Sequence, residues 1–492
     1  MLMKRYLFIA ATAAMTLAGC TEQVDFTQES LQSKNDAPIA VQFGTYMGKT
    51  GTTRAGATGG IVNYDATSGN KLGSTGYEFG VFAYNTGTST LTDATAFETY
   101  KPDFMYNQKV EYSSSAWTYT PLKYWPNGTD AANSANTPSN TASQSGRQYL
   151  SFFAYAPYVA VTASSGVPSE ATEGITALTG NAATGDPKVT YKFKNTTTGD
   201  VTTYDITAAN NVDLLWGMNG SKSTGYNVAN SSTKEALGSN YNVNLTKQTT
   251  EEKVNFAFKH ALAKLGASDG SGIQVVADID ANSSTPATAG IGTKPDATLI
   301  TLNSITIKNG ESGGSSTLKA DGVFDLATGE WTAGSTALTF STTYNSSTTG
   351  YNTNLWETST APTYTSDKWS MGGVTTVVQS VLTSGGNELY FIPVSDASLE
   401  VTVQYTVRTY DANLATPSGE SATCSKVMQT ITNSVDISAL EPNKYYKIII
   451  HLGLTSVKFA ASVSDWEDAT SGSGSSATVI WLPSNVVPSS GS

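Results

Sequence analysis

Few residues in this sequence are suited to chemistry, and their spacing argues against most of what they could do. Only two histidines occur in 492 residues, His260 and His451. One lies in an aromatic strand-like run and the other within IIIHLG, far apart in sequence, so both read as structural rather than as ligands or general bases. The segment Gly310-Glu311-Ser312-Gly313-Gly314 matches G-x-S-x-G. A nucleophile elbow needs an apolar strand before its serine and a helix after it; a Gly/Ser turn follows here, so the segment reads as a loop. Gly44 to Thr50 (GTYMGKT) looks like a phosphate loop, but Gly44 stands one residue too close to Gly48-Lys49-Thr50 for the backbone to close around a phosphate. Asp465, Glu467 and Asp468 could gather a cation, yet solvated acids at a strand end are the simpler reading, because calcium sites collect more oxygens from a tighter loop. No carboxylate pair of the glycosidase kind stands out among the 40 acidic residues. The chain is therefore expected to be no enzyme and to hold no metal or cofactor.

The elements that would position these residues are strands. Charged residues make up 14% of the chain and aromatic ones 10%, with 25 tyrosines. Threonine, serine, asparagine and glycine fill the spaces between apolar residues, a mixture that favours pleated, half-buried surfaces over helices. A formal net charge of -12 argues against nucleic acid as partner. The run GYEFGVFAYN carries aromatics on both faces, as does YLSFFAYAPY from Tyr149 to Tyr158, so both are expected to be covered on two sides. Phe104 to Gly128 reads as a hairpin turning at Ser113 to Ser115 and ended by Pro121 and Pro126. Val254 to Leu265 (VNFAFKHALAKL) reads as a strand followed by one helical turn, since Phe258, Ala261, Leu262 and Leu265 share a helical face. Thr328-Gly329 marks another hairpin. In SLEVTVQYTVRTYD, Leu399, Val401, Val403, Tyr405 and Val407 alternate with polar residues, which predicts a strand with one wet face. Many short strands with Gly/Ser/Thr/Asn loops point to β-sandwiches, in two all-β domains spanning about 37–250 and 251–468.

The termini carry separate signals. Lys4 and Arg5 precede an apolar stretch from Tyr6 to Leu17, too short to span a bilayer, so residues 1–19 read as a signal peptide. It ends in Leu17-Ala18-Gly19-Cys20, which is similar to a bacterial lipobox, with Cys20 the lipidated residue that anchors the chain to a membrane. Residues 20–36 read as a tether and 37–48 as the first strand. Cys424 would then have no disulfide partner. Arginine occurs only at positions 5, 54, 147 and 408, and Arg54 sits in the polar loop 49–60, where a protease can reach an extended backbone between Arg54 and Ala55. At the other end, residues 469–492 combine a Gly/Ser linker with an apolar, strand-like tail, Val479-Ile480-Trp481-Leu482 and then Val486 and Val487. Cutting after Arg54 would free the first strand, and such a tail could fill the vacated groove of a neighbouring molecule by strand addition. A head-to-tail contact of this kind does not close on itself and makes a filament.

The lipobox, YEFGVFAY, FMYNQKVEY with WTYTPLKYWP, LSFFAYAPY, DLLWG and FAFKHALAKL, in this order, resemble the fimbrillins, the type V pilin subunits, in their Mfa-like branch. That resemblance implies two tandem transthyretin-like β-sandwich domains, export as a lipoprotein through Cys20 and cleavage between Arg54 and Ala55. It also implies polymerisation through a C-terminal donor strand within Ala477 to Val487, with other fimbrial subunits as partners and adhesion to host or bacterial surfaces as the outcome. Pro483 departs from a clean donor, because proline cannot donate to a ladder; it splits the tail and leaves open that the tail folds on its own domain, as in an accessory or tip subunit. The alternative is a monomeric surface lipoprotein that binds glycan or host protein through exposed aromatics such as Trp117, Tyr119, Tyr124 and Trp125.

Overall fold

The computed structural model describes residues 39–46, 78–89, 99–113, 116–126, 148–162, 165–168, 174–178, 187–218, 243–245, 253–265, 273–277, 298–310, 317–348, 363–365, 368–370, 378–380, 387–411, 413–420, 423–437, 439–452, 457–465 and 478–481. Apart from 3-10 structure at Thr99 and at Ala208–Asn210, the regular structure among them is β. The first half contributes β1 (Gln42–Tyr46), β2 (Glu78–Asn85), β3 (Met105–Ser113), β4 (Ala116–Thr118) and β5 (Leu150–Ala156). β6 (Gly174–Leu178), β7 (Lys188–Lys192), β8 (Lys194–Thr198), β9 (Val201–Asp205) and β10 (Leu215–Met218) follow. Next come β11 (Lys253–His260), β12 (Ala263–Leu265), β13 (Ile273–Ala277), β14 (Thr298–Asn309), β15 (Asp321–Asp325), β16 (Glu330–Ala333) and β17 (Ser341–Asn345). The last are β18 (Thr363–Thr365), β19 (Lys368–Ser370), β20 (Val378–Ser380), β21 (Leu389–Phe391), β22 (Ala397–Tyr410), β23 (Cys424–Ile437), β24 (Lys444–Leu452), β25 (Val457–Asp465) and β26 (Thr478–Trp481).

The all-β reading is borne out, and so is the two-sided burial of the aromatic runs. A seven-stranded sheet has the order β1-β11-β10-β5-β2-β3-β4, with β2 and β5 at its centre. Phe79, Val81, Ala83, Phe152 and Ala154 point into a compact aromatic core with Phe43, Phe256 and Phe258. Their sequence neighbours Phe82, Tyr84, Phe153 and Tyr155 point the other way, into the main core. The period-2 alternation of a strand thus supplies two cores from one stretch of sequence. Of the hairpin expected over 104–128, the pairing of β3 with β4 is present, from Glu111 opposite Thr118 to Ser113 opposite Ala116.

The main core covers that sheet's other face. A four-stranded sheet, β16-β15-β7-β6, sends Ile175, Val189, Tyr191 and Phe324 into it. Further along the chain, β24 pairs with β25 along its length on one side. Its other side is shared by β12 and then β13, both parallel to it. The sheet β17-β14-β22-β23 supplies Ile305, Ile307, Leu399, Val401, Val403 and Tyr405 to the same continuous core. The wet face expected for β22 holds from Glu400 to Gln404; Thr406 is buried and Val407 only half-buried. There a bulge in β14 leaves Asn303 unpaired in the ladder, and its amide donates to Thr406 Oγ1 at 2.9 Å.

Hydrogen bonds cross the expected boundary at 250/251 in several places, among them Ala208 N to Glu388 O, Tyr390 N to Ile206 O and Tyr204 N to Thr339 O. β11 lies between β1 and β10 of the first sheet, and the β15–β16 hairpin pairs with β7. Gly329, at φ +73, turns that hairpin directly over the Trp216 ring, whose Nε1 donates to Leu326 O at 2.9 Å. The helical turn expected after β11 is absent: residues 261–262 bend and the chain continues as β12 in the next sheet. Ala261 N donates to Leu214 O and Asn443 N to Leu262 O, so the backbone is satisfied across strands. Period alone cannot separate helix from strand when every side chain of a short run is buried, as from Phe258 to Ala263.

Candidate functional site: a clamped first strand

The edge of the first sheet is built around β1. Its residues pair parallel with β11, from Gln42 opposite Lys253 to Tyr46 opposite Ala257. On its other side the chain leaving β4 returns alongside it. Val41 N donates to Lys123 O and Trp125 N to Ile39 O, each at 2.9 Å, with an antiparallel bridge between Ala40 and Tyr124. β1 therefore joins two parts of the chain that would otherwise present unpaired backbone to each other.

Side chains reinforce this seat. The alternation in Val41-Gln42-Phe43 sends Val41 and Phe43 inward, where they are 0% and 1% exposed. Phe43 sits at the centre of the aromatic core, with ring centroids 5.3 Å from Tyr119, 5.8 Å from Phe256, 6.0 Å from Phe152 and 6.3 Å from Phe79. Burying this pair contributes roughly 3–6 kcal/mol before ordering costs. Two polar clamps fix the backbone: Trp117 Nε1 donates to Thr45 Oγ1 at 2.9 Å, and the Tyr119 hydroxyl donates to Val41 O at 2.8 Å. Burial pushes that hydroxyl up to about 12, only partly offset by its contact with the Lys123 backbone, so it remains a donor at physiological pH. Trp125 is buried against Phe152, and its Nε1–H has no acceptor among the described residues.

These positions correct the idea of an exposed aromatic platform. Tyr119 and Trp125 are buried, Trp117 packs edge-on against Phe79, and of the four only Tyr124 is largely exposed, at 47%. Trp117, Tyr119 and Trp125 instead seal the first strand, because its groove needs large apolar bodies with a polar tip.

The tail strand is placed differently. β26 pairs antiparallel with β25, Thr478 opposite Val463, Val479 opposite Ser462, Ile480 opposite Ala461 and Trp481 opposite Ala460. It stands at the outer edge of the sheet containing β24. Cys20, Arg54, Ala55, Leu482, Val486 and Val487 lie outside the described residues.

Two other chemical candidates, His260 and Cys424, resolve into packing, while Ser312, Glu467 and Asp468 lie outside the described residues. His260 Nδ1 lies 2.8 Å from Asp213 Oδ2, both side chains nearly buried where β11 bends towards β12. Cys424 opens β23 opposite Tyr410, and its burial pushes the thiol up, away from the reactive thiolate. Among the described residues, no group of three His, Cys, Asp or Glu side chains is placed to hold a metal ion. No helix there is long and apolar enough to cross a membrane.

What this geometry offers is an all-β protein whose edge strand is held on both sides and plugs an aromatic groove. Over 191 residues, 39% of this chain and 38% of the relative, the sequence is 27% identical to fimbrium subunit Fim1C of Phocaeicola vulgatus. The match thus spans well under half of that curated relative. It bears out the resemblance to Mfa-like fimbrillins read from the sequence motifs. A fimbrial protein from Bacteroides vulgatus aligns in structure over 87% of this chain and 99% of its own, with 20% identity and a TM-score of 0.49. A protein from Bacteroides uniformis provisionally assigned to cell adhesion aligns over 87% and 99%, with 13% identity and a TM-score of 0.33. No protein-family model matches the chain.

Proposed function

We propose that the chain is a structural, non-enzymatic subunit of a cell-surface fimbrium that serves adhesion. It is exported as a lipoprotein through Cys20 to the outer membrane and cut between Arg54 and Ala55. It then polymerises head to tail when a neighbour's tail strand takes the seat of β1. The observation that carries this reading is the seat itself. Withdrawing β1 would uncover Phe79, Tyr119, Phe152 and Phe256 and leave the outer edge of β11 unpaired, a combination that only another apolar strand can satisfy. The tail repeats the pattern of the strand it would replace. Val479-Ile480-Trp481 has a β-branched residue and an aromatic two apart, in the same order as Val41-Gln42-Phe43. Entering in the direction of β1, Val479 would take the place of Val41 and Trp481 that of Phe43. Pro483 would then fall at Thr45, where the seat's contact is made by a side chain. The resemblance to a fimbrium subunit points the same way.

One observation favours a second reading. β26 already pairs with its own β25, as expected of an accessory or terminal subunit that keeps its tail. The N-terminal residue of protein recovered from cells tests the processing steps. Ala55 in the polymer and lipidated Cys20 in the precursor are expected; a Cys20→Ala variant should leave the membrane fraction. An ordinary signal-peptidase terminus, or mature protein still beginning at residue 20, would overturn this order of events.

A further inference from the structure

The sheet β17-β14-β22-β23 ends on an unusual edge. β23 runs for 14 residues in unbroken register with β22, from Cys424 opposite Tyr410 to Ile437 opposite Ala397. Among the described residues no strand pairs with its other side. Natural sheets blunt such edges with short strands, proline, bulges or inward-pointing charges. This strand, CSKVMQTITNSVDI, has no proline, no glycine and no bulge. Every even-numbered residue from Lys426 to Asp436 is exposed on its outer face.

We propose that β23 is the interface for a second copy of this chain, pairing antiparallel with the β23 of that copy about a two-fold axis at Ile431. The sequence is self-complementary about this point. Thr430 falls opposite Thr432, Gln429 opposite Asn433 and Val427 opposite Val435. Lys426 falls opposite Asp436, twice, because the contact is isologous. A shift of the axis by one residue sets Lys426 opposite Ser434 or carries it beyond the strand end, losing both charge pairs. A half-residue shift sets outer faces against inner ones. Burial is complementary too. On the inward face Val435 is 0% exposed and Val427 is 47% exposed, so the bare half of each strand meets the covered half of the other. Lys426 Nζ already lies 2.7 Å from Glu420, and Asp436 accepts from Ser398 Oγ at 2.7 Å. The remaining ammonium hydrogens and the second carboxylate oxygen leave room for the added contact.

The contact is independent of strand exchange, so it is tested on the full chain without cleavage at Arg54, by sedimentation velocity across micromolar concentrations. The wild type is expected to dimerise. Lys426→Glu or Asp436→Lys alone sets like charges opposite each other twice and should weaken the dimer about tenfold. The double variant K426E/D436K should recover it. So should an equimolar mixture of the two single variants, in which every facing pair is again of opposite sign. Thermal melts establish that each variant folds. As a measurement that leaves the charges untouched, a mixture of Thr430→Cys and Thr432→Cys should cross-link on oxidation, and neither variant alone to the same extent. A wild type that stays monomeric, single variants that dimerise normally, or a mixture that fails to recover would overturn the proposal.

Discussion

The first and last strands among the described residues both lie at sheet edges, yet the two are held in different ways. The segment 39–46 is hydrogen-bonded on both sides, β1 to β11 and residues 39–41 just before it to residues 123–125, and sends Val41 and Phe43 into an aromatic core that it closes. β26 is paired over four residues and, among the described residues, only to β25. A strand that completes a core cannot leave without a substitute. One attached along a single edge can leave at the cost of a few backbone hydrogen bonds, largely offset by the chain entropy regained. The contrast is what the proposed exchange requires: a first strand whose seat must stay filled, and a last strand that leaves its own edge to fill one.

The sharpest way to break this contrast is to empty the seat of its plug. Phe43→Ala should lower unfolding stability by about 3–5 kcal/mol, read by urea or thermal denaturation, because four neighbouring rings lose their central contact. At the other edge, truncation after Ser476 should lower the stability of the unprocessed monomer by less than about 2 kcal/mol and leave one cooperative transition. Equal costs for the two changes would erase the distinction.

The clamps give finer tests. Tyr119 is raised from 10.0 to about 12 in the folded protein, so its contribution is fully present below pH 10 and is lost as pH rises through 12. Wild type should therefore lose more stability between pH 10 and 12 than Tyr119→Phe, which cannot ionise; parallel pH curves would exclude Tyr119 from the clamp. The smallest effect is expected from Trp117→Phe. It keeps the edge-on contact with Phe79 and loses only the bond to Thr45, worth about 0.5–1.5 kcal/mol.

Much of this was legible in the sequence because it rests on alternation. The doubled aromatics of Phe79 to Tyr84 and Phe152 to Tyr155 foretold a sheet buried on both faces. Three features were not legible. The stretch from Phe258 to Ala263, where the strand bends into the next sheet, is buried at every residue, so its period was ambiguous. The β15–β16 hairpin lies on Trp216, more than a hundred positions away, a pairing no local pattern encodes. Tyr119 and Trp125 read as surface aromatics because nothing in their own segment records that the chain returns to cover β1.

The central claim is that the seat of β1 receives the tail of a neighbour. It is tested most directly by cleaving the full chain and a chain truncated after Ser476 at Arg54, and then following assembly by size exclusion and electron microscopy. The account predicts filaments from the full chain and none from the truncated one, with both uncleaved monomers still unfolding cooperatively. Filaments that persist without residues 477–492, or a truncated monomer that loses its transition, would show that the tail belongs to its own sheet.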